Sequence, residues 1–410
     1  MAETQTDVLQ LEKIKFNING KDFLKNGSFL RKVEIQESVF SPFFSGRVLI
    51  DDPIDIRDTL NGNEKVDFSY RPNFSGDITF TNTVLRRLVE VEDGTDIRNA
   101  NSKKLTYILE FINRGLVESN NSAITRAFVN KNPYEIYAYI ISALKENYTR
   151  GKTALQPITL TFKNERPQTA LSKLFDHIDS IHSNNNSCYM LTFYDRNQGI
   201  KTILIDELIA EQYGPFLTFN RYSNLSQRTL NQDKFSIFYH KSFYDFDILE
   251  RPYANLRIGR YNIKAGLPES QDVKVTINLL GDGNKIFTET FDPPVFPKSI
   301  TQMYDANNNK NPNLRLELAH KHRAIMGAHL KQHRGIFRIP ANSSVRLGMN
   351  CRLNIPKEES ELKKSNDLNR NAGLVTVVGI KHVIEYQGIN PRCYMEVEYY
   401  KPFHRKEIKK

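Results

Sequence analysis

The acidic run Asp51-Asp52-Pro53-Ile54-Asp55-Ile56-Arg57-Asp58 is the first place in this sequence where chemistry could reside. Together with Glu64 it could supply the two carboxylates that cleave a glycosidic bond from opposite sides, the reaction of a cell-wall hydrolase. Adjacent Asp residues in an extended strand point apart, however, and Asp-Asp-Pro after a strand is ordinary turn chemistry, so the turn reading is preferred. His320-Lys321-His322, His329 and His333 form the densest histidine group, and His329 and His333 would share one helical face as zinc ligands can. Between them stand Leu330, Lys331 and Gln332, with no Glu for a metalloprotease, and the neighbouring Lys321, Arg323 and Arg334 make a basic solvated or interface face the simpler reading. There is no Gly-x-Ser-x-Gly, and Cys188 and Cys351 have no evident histidine partner in sequence. Gly281-Asp282-Gly283 lacks the further glycine and the strand-to-helix setting of a dinucleotide loop, and reads as a hairpin turn. Arg86-Arg87, Lys103-Lys104, Arg405-Lys406 and Lys409-Lys410 could touch phosphates, but no helix-turn-helix, zinc finger or aromatic RNA motif accompanies them. No catalytic, cofactor or metal site is expected.

The elements that would carry such residues belong to a chain of 410 residues, enough for two to four domains with their own cores. Hydrophobic residues make up 39 %, below the ~45–50 % usual for globular chains, so more surface than usual is wetted. Fifty-seven basic against 47 acidic side chains give +10, a field compatible with nucleic acid, an acidic partner or solubility. The three cysteines, Cys188, Cys351 and Cys393, are scattered and odd in number in apolar or strand-like surroundings, which indicates neither a disulfide framework nor a zinc cluster. No run approaches the ~18 apolar residues of a membrane span, and Met1 to Asp7 lacks the basic and apolar regions of a signal peptide. A soluble, unsecreted product is expected.

Leu11 to Ile18, Phe29 to Glu37, Phe44 to Asp51, Lys65 to Arg71, Ile78 to Glu92 and Lys104 to Arg114 show apolar residues mostly at period two, between Gly, Asn, Asp and Pro clusters. Six such strands suggest a small closed or half-closed barrel, with Val33, Ile35, Val48 and Ile50 in its core and Gly46 permitting a bulge or close backbone approach. Asn132-Pro133 opens a helix to Tyr148, with Asn as cap and Pro at the first helical position, and a second helix fits Pro167 to Ile181. A hairpin, Cys188 to Tyr194 with Ile200 to Ile205, completes an α/β unit. Strand pattern returns from Leu225 to Tyr244, Arg251 to Asn311 is loop-rich, and one helix fits Asn313 to His333. Strands then fit Gly335 to Ile339, Arg346 to Ile355, Gly373 to Gln387 and Arg392 to Tyr400, with a polar flap at Lys357 to Asn371.

Phe29-Leu30-Arg31-Lys32-Val33-Glu34-Ile35-Gln36-Glu37-Ser38-Val39-Phe40, then Phe43-Phe44-Ser45-Gly46-Arg47-Val48-Leu49-Ile50-Asp51-Asp52, then Leu60-Asn61-Gly62-Asn63-Glu64-Lys65-Val66, resembles a recurrent opening. It looks like the baseplate hub proteins of contractile-tailed bacteriophages, related to the hub part of type VI secretion spike proteins. There an "E-S-hydrophobic" step and "G-x-h-h-h-x-D" and "G-x-E-x-h" strands build a first tube-like barrel. The order of parts is similar along nearly the whole chain; the polar flap and the basic C-terminus depart from the pattern.

The resemblance implies an α+β, mostly β, chain: a first tube-like barrel over 1–117, an α/β insertion over 118–218 and a second barrel from 219–250 and 312–400. A loop-rich insertion over 251–311 and a basic tail over 401–410 complete it. Three chains would form a pseudo-sixfold ring in the virion, assembled in the host cytoplasm, between the tail tube protein and the central spike protein. Baseplate wedge proteins would be further partners, and the tape-measure protein and genomic DNA would pass through the channel. Val33, Ile35, Gly46, Val48, Ile50, Gly62 and Glu64 are the structural or interface candidates. A ring wets two walls, which fits the low apolar content, and closure satisfies strand edges through neighbours. Because a strongly binding lumen would hinder DNA, basic groups are expected mainly on outer or partner-facing surfaces.

Overall fold

In β3 (Phe29–Ser38) Val33 and Ile35 are buried and alternate with Lys32, Glu34 and Gln36, and the same period runs through β4 (Ser45–Asp52), where Gly46, Val48 and Ile50 are buried. The computed structural model describes residues 9–26, 29–52, 59–91, 105–152, 154–155, 157–175, 177–178, 190–210, 215–221, 235–244, 256–262, 267–270, 275–280, 286–291, 299–305, 333–355, 372–387 and 390–401. The expected helix at 313–333, the flap at 357–371, the tail beyond Lys401, Asp55, Cys188, His320, His322 and His329 lie outside the described residues, apart from His333. His333 is the first residue of a strand, not the last of a helix, so the helical spacing that would pair it with His329 does not apply to it.

Strands β1 (Leu11–Ile18), β2 (Lys21–Asp22), β5 (Lys65–Pro72), β6 (Ile78–Glu90) and β7 (Leu105–Asn113) join β3 and β4 in the first unit. The insertion follows as α1 (Arg114–Asn121), β8 (Ile124–Lys131), α2 (Pro133–Ala143), β9 (Tyr148–Arg150), β10 (Ile158–Glu165), α3 (Pro167–Phe175), β11 (Met190–Asp195), β12 (Gly199–Leu204) and α4 (Ile205–Ala210). Both helices expected here form, although the first ends at Ala143 and Tyr148 opens β9 instead of closing the helix: the Asn132 side chain accepts from Tyr134 N at 2.9 Å at the start of α2, and Ala170, Leu171 and Leu174 of α3 are buried. The remaining strands are β13 (Leu217–Asn220), β14 (Tyr239–Tyr244), β15 (Leu256–Asn262), β16 (Leu267–Ser270), β17 (Val275–Leu280), β18 (Ile286–Phe291), β19 (Ser299–Asp305), β20 (His333–Pro340), β21 (Asn350–Asn354), β22 (Gly373–Gln387) and β23 (Asn390–Tyr400). The segment read as loop-rich thus carries five strands, β15 to β19. Short alternating runs such as Val275-Thr276-Ile277-Asn278 and Phe287-Thr288-Glu289 pair antiparallel there, and the Gly, Asp and Pro residues of the surrounding sequence obscure the pattern.

The expected mostly β architecture is present, and its strands join the first and second units in one sheet. One 13-stranded sheet runs β14-β20-β23-β22-β3-β4-β7-β6-β5-β1-β2, with β21 and β13 branching from β22. The 15-residue β22 makes this possible: residues 373–376 pair with β21, residues 379–385 with β3, and β23 runs along its other edge. Leu374 to Ile380 are buried at every position, the unbroken pattern of a strand covered on both faces. Register shifts in β1, β3, β5 and β6 bend the first unit over its own core, bringing Phe68 to 6.3 Å from Phe111 and Phe80 to 5.1 Å from His382, ring centre to centre. A bridge between Gln10 and Arg392, with Cys393 N donating to Leu9 O at 2.7 Å, returns the start of β1 to β23. This is a single bridge and not a ladder, so no closed barrel is found among the described residues.

A buried polar chain pins β22 in this place. His382 lies between Tyr70 OH, 2.7 Å from Nδ1, and Glu37 Oε2, 2.8 Å from Nε2, while Arg196 Nε stands 3.6 Å from Glu37 Oε1. A carboxylate only accepts, so Nε2–H donates to Glu37, and the remaining lone pair on Nδ1 takes the Tyr70 proton. Arg196, from the turn between β11 and β12, also donates to Val345 O at 2.5 Å. Four segments of the fold therefore meet at one joint: β5, β3, the insertion and the second unit.

Burial above all, and then Arg196, holds His382 below the ordinary imidazole value despite Glu37, which acts in the opposite direction. Below pH ~6.5 the unfolded chain therefore takes up a proton that the native imidazole refuses, so this contribution to stability is lost as pH falls. His382→Gln is expected to be less stable than the natural chain at pH 7.5, with the gap in urea midpoint narrowing toward pH 5 by at most ~1.4 kcal/mol per pH unit. A gap independent of pH contradicts this. Gly46 supplies a second expectation: a Cβ there would collide with the ring of Phe111, its partner on β7, and a Cβ at Gly335 would collide with Tyr399, its partner on β23. Gly46 therefore permits close approach of a ring; no register shift occurs at it. Gly46→Val and Gly335→Val should each cost ~1–3 kcal/mol or more by overpacking and lower the melting temperature, with loss of assembly following from loss of fold. Unchanged melting of both variants contradicts the packing described.

Candidate functional site

The period of two that buries one face of the sheet sets a row of alternating charge on the other. Arg338 of β20 stands opposite Glu396 of β23, Glu396 opposite Lys381 of β22, and Lys381 Nζ reaches Glu34 Oε1 of β3 at 2.8 Å. Glu34 is opposite Arg47 of β4, Arg47 opposite Glu110 of β7, and Glu110 opposite Arg87 of β6. Positive and negative residues thus alternate across seven adjacent strands drawn from both units.

Several rungs are in contact. Arg338 donates to Glu396 Oε1 at 2.6 Å from NH2 and 2.7 Å from Nε, and Lys32 lies 3.0 Å from Glu34 and 3.4 Å from Glu385. Burial alone would push the Glu34 carboxyl up, but hydrogen bonds from Lys381 and Lys32 outweigh it and leave it below its ordinary value. The bond to Glu34 in turn raises Lys32 against burial. At the β14 end the Arg338 guanidinium lies 4.7 Å from the Tyr239 ring centre and 5.6 Å from that of Tyr394. Where β3, β4, β6 and β7 meet, Arg47, Arg86 and Glu110 line a shallow hollow of about 340 Å³. Exposed ion pairs contribute only ~0–1 kcal/mol each, so stability is a weak explanation for keeping a seven-strand alternation.

The candidates named from sequence sit behind or beside this row. Val33, Ile35, Val48 and Ile50 are at most 1 % exposed and form the floor on which it rests; Val33 pairs with Val48, and Ile35 with Gly46. Gly62, with φ +85°, and Glu64, whose Oε1 accepts from Asn61 N at 2.5 Å, belong to the turn before β5 and are not part of the row. The acidic pair is engaged elsewhere: Asp51 accepts from Arg31 Nε at 2.7 Å and Thr106 Oγ1 at 2.8 Å, and the fully buried Asp52 accepts from Tyr107 OH at 2.7 Å. Cys351 and Cys393 are free and buried, and their thiols are pushed up by burial. Among the described residues no group of three or more potential ligands gathers to hold a metal ion, and no helix is long and apolar enough to cross a membrane.

Sequence reasoning missed both the row and the joint, although one signal was present. In Val33-Glu34-Ile35-Gln36-Glu37 the last residue falls on the apolar face, and a charge placed there must find a buried partner. The partner, His382, lies 345 residues away along the chain and could not be identified from spacing.

No family model matches the chain, and no curated protein matches it by sequence. Solved structures do. The 43 kDa tail protein of prophage MuSo2 from Shewanella oneidensis matches with a TM-score of 0.55 at 9 % identity, covering 95 % of this chain and 98 % of that one. The tail protein from Neisseria meningitidis MC58 matches with a TM-score of 0.56 at 9 % identity, covering 95 % and 96 %. At this identity the likeness is one of fold, and along nearly its whole length the chain has the fold of these tail proteins, as the resemblance in its opening strands led one to expect.

Proposed function

We propose that the chain is a structural component of a phage tail, the central hub of its baseplate. Three copies would form a ring that joins a sixfold tail tube to a threefold central spike, with the charged face of the sheet toward the channel. The observation that carries this reading is the single sheet crossing both units, packed on one face and crossed on the other by a row of alternating charge, in a fold shared end to end with tail proteins. Such a sheet is a wall: it has a dry side that packs and a wet side that faces a fluid-filled space. In this reading the tail tube protein, the central spike protein and baseplate wedge proteins are permanent partners, while the tape-measure protein and genomic DNA only pass. The chain would reside in the virion after assembly in the host cytoplasm.

The unit boundaries 1–117, 118–218, 219–250 with 312–400, 251–311 and 401–410 belong to the same proposal, with the qualification that β22 and β23 serve both units. Val33, Ile35, Gly46, Val48 and Ile50 act inside the wall and reach a neighbour only through the strands they hold, whereas Gly62 is exposed at a turn. A cell-wall hydrolase centred on Asp51 and Asp52 loses its support, since both carboxylates hold neighbouring strands. Sedimentation equilibrium at micromolar concentration, alone and with a cognate spike protein, is expected to give a species of three chain masses. A monomer under both conditions contradicts the ring, and clearing of peptidoglycan by the purified chain that is lost on Asp52→Ala contradicts the purely structural role.

A further inference from the structure

Arg338, Lys381, Arg47 and Arg87 lie along the charged face, each separated from the next by an acid. We propose that this alternation is a device that lets a polyanion slide past, in which Glu396, Glu34 and Glu110 cancel a row of cations that would otherwise bind DNA. The inference rests on the reading of this face as a channel wall and adds to it a specific partner, double-stranded DNA, and the residues that keep its contact weak.

The physics lies in the spacing. Neighbouring strands are ~4.8 Å apart, so like charges recur every ~10 Å along the row. The potential of a charge pattern with that period dies away over ~1.5 Å from the surface, well inside the ~8 Å screening length at physiological salt. A phosphate held one water layer away therefore experiences almost no net pull. Without the acids, the same row presents a continuous line of positive charge whose field reaches out to the screening length, and DNA binding with release of counterions follows. The acids are not deeply sequestered: side-chain exposure is 19 % for Glu34 and 20 % for Glu396, enough for both to act on the surface field. The joint of Glu37 and His382 sits on the opposite face and is left untouched by changes in the row.

The test compares three full-length proteins binding a fluorescent duplex DNA of about 30 base pairs by anisotropy, across about 50–200 mM salt. They are the natural chain, the triple variant Glu34→Gln/Glu110→Gln/Glu396→Gln, and a control, Glu12→Gln/Asp77→Asn/Glu135→Gln, with the same net charge but changes at exposed positions outside the row. The row variant is expected to bind at least ~10-fold more tightly than the other two at about 100 mM salt, with a log–log salt slope steeper by ~3. Equal affinity of the row variant and the control overturns the proposal, as does a natural chain that already binds as tightly as the row variant. If the triple variant fails a melting control, Glu110→Gln alone is used. Glu110 has no ion pair among the described residues, and the same direction of change is required of it. Because binding is read on the chain itself, a failure here leaves the ring test independent, and a failure of the ring leaves this result readable.

Discussion

The pairing of β22 with β3 is the constraint on which the rest of the structure depends. These strands are separated by more than 330 residues, and their ladder joins everything before the insertion to everything after it. The contact is not simply apolar. Glu37 and His382 are nearly inaccessible, and removing a partner from such a pair leaves a buried polar group uncompensated, which costs far more than the hydrogen bond itself contributes. Tyr70 and Arg196 complete the set, so β5 and the α/β insertion are also held to the junction.

The joint and the charged row are two consequences of one alternation. A slip of one residue between β3 and β22 would carry Glu37 to the wet face and Gln36 or Glu34 into the core, and the row would lose its register at the same moment. The buried polar pair thus specifies which face is dry, and the row follows across β20, β23, β22, β3, β4 and β7 because each ladder transmits the parity of the last, reaching β6 at the bulge that sets Arg87 opposite Glu110. Gly46 under Phe111 and Gly335 under Tyr399 repeat one packing device in the two units.

Local elements were legible in the sequence wherever one physical signal dominated. The alternation in β3 and β4, the Asn132-Pro133 start of α2 and the Asp195 to Gly199 hairpin all emerge at the positions their residues indicate. The five strands between Leu256 and Asp305 were obscured because they are short and bounded by turn residues. The sharing of β22 was invisible for a different reason: its run from Leu374 to Ile380, buried on both faces, carries no mark of which neighbours it will take. The charged row is likewise a property of register between distant strands. Each of its residues reads, alone, as an ordinary solvent-facing charge.

The most direct measurement of the central claim, that the two units form one sheet through β22, is native-state hydrogen exchange resolved by strand. The account predicts that the slowest amides of β4 and β7 on one side and of β20 and β23 on the other open with a common free energy, and that Glu37→Gln lowers both together. Two groups of strands that open independently, with only one of them responding to Glu37→Gln, would contradict it.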